Sequence, residues 1–392
     1  MARVKTGLEV WWEKSFAPLA GLNVGLITNH TGILPDRSAN MDALKAASNV
    51  RLKALFGPEH GVRGDIWAGE TVESYTDKKT GLPVYSLYGR TRVPTATMLR
   101  GLDVLVFDIQ DIGSRSYTYL STMGSAMEGA AQHGVPFIVL DRPNPVGLNR
   151  IEGGPTRPGF ESFIGKYPVS YLHGMTLGEL AKMINGAGWL PGGRQCDLTV
   201  VPCENLTRKM AVWEAFGGLP WIRTSPNVPY DHSPHFYAAT GIFGELPVLS
   251  IGIGTDVQFE VAGAPWLSSR AFAEELNRRG VGGIRFDPAT WTPNKGAHRG
   301  KRCNGVRIRL TNPETAELTR VNFELMDALR AIAPKREVFA ARGSTRMFDL
   351  ACGTDRIRKA FLAGADGNDL WRQFNEGQPT FATARKTSLL YS

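Results

Sequence analysis

Between residues 20 and 200, short apolar runs rich in β-branched side chains alternate with stretches of helical periodicity, which restricts this part of the chain to a parallel sheet covered by helices. The runs occupy residues 24–28, 51–56, 103–107, 136–140 and 197–201. Residues 38–47 and 119–133 read as helices, the second with Met123, Met127 and Ala130 on one stripe. Thr176, followed three residues later by Glu179, forms a capping box that opens another. A passage dense in glycine, proline and tryptophan from 217 to 230 marks a boundary. Beyond it come apolar runs at 248–253, 259–266 and 306–310 and helices at 269–279 and 320–332. The expected architecture is α/β: a Rossmann-like parallel-sheet domain over residues 1–230 and a second, smaller α+β domain over 231–392.

Four of the runs deliver a polar cluster, and side chains just past the carboxyl ends of parallel strands converge on one crevice. The first cluster is Asn29-His30-Thr31-Gly32 and the second Gly57-Pro58-Glu59-His60-Gly61. Glu59, bracketed by glycines and next to a proline, is expected in a tight turn. A partly desolvated carboxyl there is either a general acid or a cap for nearby backbone groups. His30 and His60 are substrate contacts or hydrogen-bonded structural histidines. The third cluster brings Asp108, Gln110, Asp111, Arg115, Tyr117 and Tyr119. It offers carboxylates and an amide for sugar hydroxyls or a water and rings that can stack on a sugar, or else an internal network in which Asp111 and Arg115 satisfy each other. Asp108 and Gln110 share a face if the strand continues, with Asp111 on the other. The fourth, Asp141-Arg142-Pro143-Asn144-Pro145, is stiffened by its prolines and either holds polar groups in place or forms a turn that Asp141 caps.

Composition narrows the class. At 392 residues and 42% hydrophobic content the chain can bury two cores. No apolar run approaches the roughly 18 residues of a membrane span, and the first residues lead into no signal-peptide core. The expectation is a cytoplasmic protein, or an exported one whose signal has been removed. The net charge of +8 favours anionic partners, but the basic residues are dispersed in short pairs such as Lys301-Arg302, which does not suggest a nucleic-acid module. Cys196, Cys203, Cys303 and Cys352 lack metal or disulfide spacing. Asp231, His232 and His235 lack the helical spacing of a zinc motif, and Gly252-Ile253-Gly254 lacks the third glycine of a dinucleotide fingerprint, so no metal and no cofactor are expected. A G-x-S-x-G elbow is absent.

Taken together the clusters resemble the exo-β-N-acetylmuramidase family of peptidoglycan hexosaminidases. The matching stretches are residues 25–32, 56–64, 68–70, 80–89, 107–119 and 140–145, with weaker matches at 174–176, 225–227 and 263–266. The resemblance implies a Rossmann-like catalytic domain with an auxiliary domain, an active site in the cleft between them, and release of N-acetylmuramic acid from the non-reducing ends of cell-wall glycan fragments. It places the family's glutamate on Glu59. The second catalytic role then falls to Asp108, Asp111 or Glu70, or to the substrate's own N-acetyl group. Arg63, Arg115 and Arg142 are candidates to clamp the lactyl carboxylate, or members of ion pairs. Asn29, His30, His60, Glu70, Gln110, Tyr117, Tyr119, Asp141 and Asn144 complete the expected substrate-binding set, the partner being a muropeptide or peptidoglycan-derived glycan. The rival readings are a non-catalytic protein that binds such glycans in the same crevice and a Rossmann-type phosphate or nucleotide binder.

Overall fold

The computed structural model describes residues 2–64, 73–340 and 342–392 and divides into two compact units. The first is built from residues up to 150, 174–229 and 383–392. The second takes residues 151–173 and 230–382.

Seven strands form the sheet of the first unit: β1 (Asn23–Thr28), β2 (Arg51–Gly57), β3 (Tyr75–Thr76), β4 (Pro83–Ser86), β5 (Val104–Asp108), β6 (Phe137–Leu140) and β7 (Leu198–Val201). Their spatial order is β3-β4-β2-β1-β5-β6-β7, with only β3 antiparallel to its neighbour. The chain builds outward from β1 through β2 to β4, then crosses back to lay β5, β6 and β7 on the other side. The strand order therefore reverses beside β1, where the crevice of a doubly wound sheet opens. Ile27 of β1 aligns with Phe56 of β2 and Phe107 of β5, so the three strands end at the same level.

Both faces of these strands are covered, which is why they read as continuous apolar runs rather than alternating ones. Val24 and Leu26 of β1, Leu52 and Leu55 of β2 and Val104 and Val106 of β5 join Leu8 and Trp11 of the helix Gly7–Trp12 and Met41 and Leu44 of the helix Asn40–Ala46 in one core. β3 and β4 escape the apolar-run reading because they are only two and four residues long, and Pro83 is tolerated as the first residue of β4.

The second unit holds a three-stranded antiparallel sheet, β8 (Val261–Ala264), β9 (Ile284–Trp291) and β10 (Cys303–Leu310), in the order β8-β10-β9. The expected helices are present as Ser269–Arg278 and Arg320–Ile332. β9 was hidden by Pro288, which an edge strand accommodates. The run 248–253 is not a strand: Gly252 and Gly254 take φ of +80° and +79°, and Ser250 makes only an isolated bridge to Gly263. The helices Arg342–Cys352, Arg356–Leu362, Gly367–Phe374 and Gln378–Ala384 were also not read from sequence.

Candidate active site

The carboxyl ends of β1, β2 and β5 present the first three clusters side by side. After β2, Pro58 starts a turn closed by Gly61 N–H donating to the Pro58 carbonyl at 3.0 Å. His60 occupies its left-handed corner at φ 73°, a conformation that costs a non-glycine residue of order 1 kcal/mol. The turn leaves Glu59 only 9% exposed. Thr118, the N-cap of the helix Tyr119–His133, donates its hydroxyl to Glu59 Oε2 at 2.6 Å. Tyr88, two residues past β4, hydrogen-bonds to Glu59 as well, and burial followed by the Glu59 charge pushes its phenol up to about 12. The Arg92 guanidinium lies 5.8 Å from the centre of the Tyr88 ring.

Tyr117 and Tyr119 meet edge to face with centroids 4.8 Å apart. Both phenols are raised, first by burial, and the charges of Glu59 and Asp111 also act on both. Tyr117 donates to Thr224 Oγ1 at 2.9 Å and Tyr119 to the Thr224 carbonyl at 2.7 Å. His30 Nε2 lies 2.6 Å from the Arg223 carbonyl, so the 223–224 backbone is strapped across these strand ends. Gly64 packs on the His30 ring, where a Cβ would come within 2.2 Å. Asn29 donates to the Tyr119 hydroxyl at 2.9 Å and accepts from the Thr31 amide and hydroxyl, which makes it a brace inside the first cluster. His60 is buried at the turn, and Arg115 of the third cluster is 1% exposed.

The three strand-end aspartates differ in how their charge is met. Asp108 is fully buried in a bidentate pair with Arg142 at 2.6 and 3.1 Å and accepts from Asn40 Nδ2 at 2.6 Å. Asp141 accepts from the Thr176 and Tyr391 hydroxyls, both at 2.6 Å, and from Gly178 N–H at 2.8 Å, while burial raises it to about 6. Asp111 accepts from Gly113 N–H at 2.8 Å, but its Oδ1 is buried with no hydrogen-bond partner. Burial raises Asp111 to about 7, well above the usual carboxylate range.

These surroundings revise several sequence expectations. Asp108 is the anchor of a buried ion pair rather than an available carboxylate, and Arg142 is its partner rather than a clamp. Arg63 is likewise held by Asp77 at 2.8 Å and Asp42 at 3.1 Å, the ion-pair alternative. β5 ends at Asp108, so the strand alternation placing Gln110 on its face does not continue. Gln110 instead donates to the carbonyls of Asp111 and Pro143 at 2.8 and 2.9 Å. Asn144 donates to the Met175 carbonyl at 2.9 Å and caps Val146, holding the proline-rich loop. Glu70 lies outside the described residues.

Tyr88, Arg92, Thr118 and Thr224 were not singled out from sequence. Tyr88 follows a strand end and was reachable by the rule that found Glu59, had β4 been recognised. Thr224 sits in a loop with no local signal.

Among the described residues no group of three His, Cys, Asp or Glu side chains is arranged for a metal ion. His232 faces Asp231 and Glu260 at 3.3 and 3.2 Å. No described helix is long and apolar enough to cross a membrane. The four cysteines are buried and none is in a disulfide among the described residues.

Family models for the exo-β-N-acetylmuramidase NamZ match residues 24–232 with its N-terminal part and residues 235–391 with its C-terminal part. The chain belongs to this family. A relative from Bacillus subtilis (strain 168), described as peptidoglycan β-N-acetylmuramidase NamZ, is 40% identical over 389 residues, 99% of this chain and 92% of that protein. Among solved structures, a DUF1343-family protein from Bacteroides fragilis is 42% identical with a TM-score of 0.94, covering all of both chains. A second from the same organism is 30% identical with a TM-score of 0.79, covering all of this chain and 99% of the other. Within the NamZ family frame, Glu59, Tyr88, Thr118 and Asp111 all fall in the part matched by the N-terminal model.

Proposed function

We infer that this chain is an exo-acting glycoside hydrolase that releases N-acetylmuramic acid from the non-reducing ends of peptidoglycan fragments. The observation that carries the reading is family membership over nearly the whole chain, with a nearly buried glutamate seated at a central strand end in the expected motif.

Glycoside cleavage requires a proton for the leaving oxygen and stabilisation of an oxocarbenium-like transition state. Glu59 is proposed as the proton donor, with Thr118 and Tyr88 fixing its carboxyl. Asp111 is proposed as the second carboxyl: its unpartnered Oδ1 is suited to receive a substrate N–H or an attacking water, and its proton to bond a substrate carbonyl. Arg92, which lies beside Tyr88 with its guanidinium 5.8 Å from the ring centre, is proposed to meet the lactyl carboxylate.

The test is turnover of a chromogenic N-acetylmuramide by Glu59→Gln. The expected result is a loss of about a hundredfold or more in kcat with binding retained. Unchanged turnover would remove Glu59 from the mechanism, and no turnover by the unaltered protein would favour a glycan-binding role.

A further inference from the structure

The second unit contains a cavity of about 410 Å³ that none of the chemistry above uses. Its size is that of a small-ligand site. Pro247 and Val248 form one wall, Trp266 the floor, and His298 and the segment Lys335-Arg336-Glu337-Val338 the remaining sides. Trp266 lies two residues past β8, and Lys335 and Arg336 follow the helix Arg320–Ile332. The wall is tied together by His298 Nε2, 3.1 Å from the Val248 carbonyl.

The electrostatics select the ligand. The Arg336 guanidinium lies over the Trp266 ring at 4.7 Å from its centre, a cation–π contact that holds it at the cavity. Such a held, planar fork suits a carboxylate received bidentately. Lys335 adds a second cation, and Glu337 is the one acid among the lining residues. The loop bearing His298 also carries Arg299, Lys301 and Arg302, all exposed. Among the described residues no carboxylate pairs with these three arginines and lysines or with Lys335 and Arg336. Folding has thus brought Lys335 and Arg336 together with Trp266 and His298 in one cavity wall. Because Arg336 already covers the Trp266 face, stacking of a nucleic-acid base is disfavoured.

We propose that this cavity is an anion-binding site that receives carboxylates of the peptidoglycan polymer and retains the enzyme on its substrate. The proposal rests on the muramidase reading for the identity of the polymer, but none of its residues belongs to the Glu59 crevice.

The experiment is cosedimentation with purified insoluble peptidoglycan stripped of phosphate-containing polymers, alongside unstripped material and stripped material whose carboxyls have been amidated. Lys335→Gln/Arg336→Gln should lower retention about tenfold on stripped peptidoglycan, and amidation should lower retention of the unaltered protein similarly. Arg336→Lys, which keeps the charge and loses the fork, should fall between. Glu337→Gln should raise retention. Turnover of a soluble chromogenic muramide should be unchanged in all three variants, which also shows that they fold. Retention indifferent to the substitutions or to amidation, or present only where phosphate polymers remain, would overturn the site. If retention behaves as expected while the unaltered protein turns over no muramide, the muramidase reading fails and the cavity stands.

Discussion

At the scale of single residues, what separates the aspartates at the strand ends is how each negative charge is answered. Asp108 is answered by Arg142, so Asp108→Asn should leave a buried guanidinium uncompensated and cost about 3–5 kcal/mol, read as a lowered unfolding midpoint in urea. Asp111 is answered by little beyond backbone N–H groups, and burial lifts it to about 7. A folded pKa above the unfolded value of about 3.9 means that the native state holds the proton more tightly. The stabilisation is complete below about pH 4 and is lost as pH rises through about 7. Asp141, at about 6, acts in the same direction. Thermal unfolding followed from pH 4 to 7 should show a falling midpoint, and Asp111→Asn should flatten that slope; an unchanged slope would mean that Asp111 is ionised throughout. Arg92→Ala should raise KM for muramides and leave KM for an otherwise identical sugar lacking the lactyl group unchanged.

At the scale of elements, the loop after β6 is held from both sides. Thr176 caps the helix Leu177–Gly186 through Glu179 N–H and also donates to Asp141. Gly178 has no room for a side chain, since a Cβ would lie 2.7 Å from the Asp141 carboxyl carbon. Tyr391, 250 residues beyond Asp141, closes the arrangement through its hydroxyl, which also accepts from Cys203 N–H at 2.9 Å. Tyr391→Phe should therefore destabilise the first unit by about 1–3 kcal/mol in equilibrium unfolding. Asp141 precedes Arg142, so the same variant should loosen the Asp108 pair. The capping box was legible from two residues at fixed spacing, whereas Asp141 appeared only as a strand-end carboxyl with two readings. Its three donors come from Thr176, Gly178 and Tyr391, and no local pattern records such a convergence.

At the scale of the whole chain, neither unit is continuous. Glu152, in the segment 151–173, accepts from the amide and hydroxyl of Thr319, capping the helix Arg320–Ile332 within the second unit. Residues 383–392 return to the first unit, where Arg208 and Glu179 meet Ser392 and Leu390. A fragment of residues 231–392 should therefore fail to give a cooperative unfolding transition, while one that adds 151–173 through a linker should recover it; cooperative folding of the shorter fragment would show those segments to be dispensable.

The amino-acid sequence by itself determined the parallel sheet, its principal helices, and the strand-end position of Glu59. Apolar periodicity and capping act over a few residues and are written where they act. Only the tertiary structure decided which charges cancel: Arg63 went to Asp42 and Asp77, Arg142 to Asp108, and Asp111 kept an unpartnered oxygen. Tyr88 and Thr118 likewise reached Glu59 from other strands and helices. Coulomb and hydrogen-bond energies depend on separation in space and on burial, and neither is set until the chain has packed.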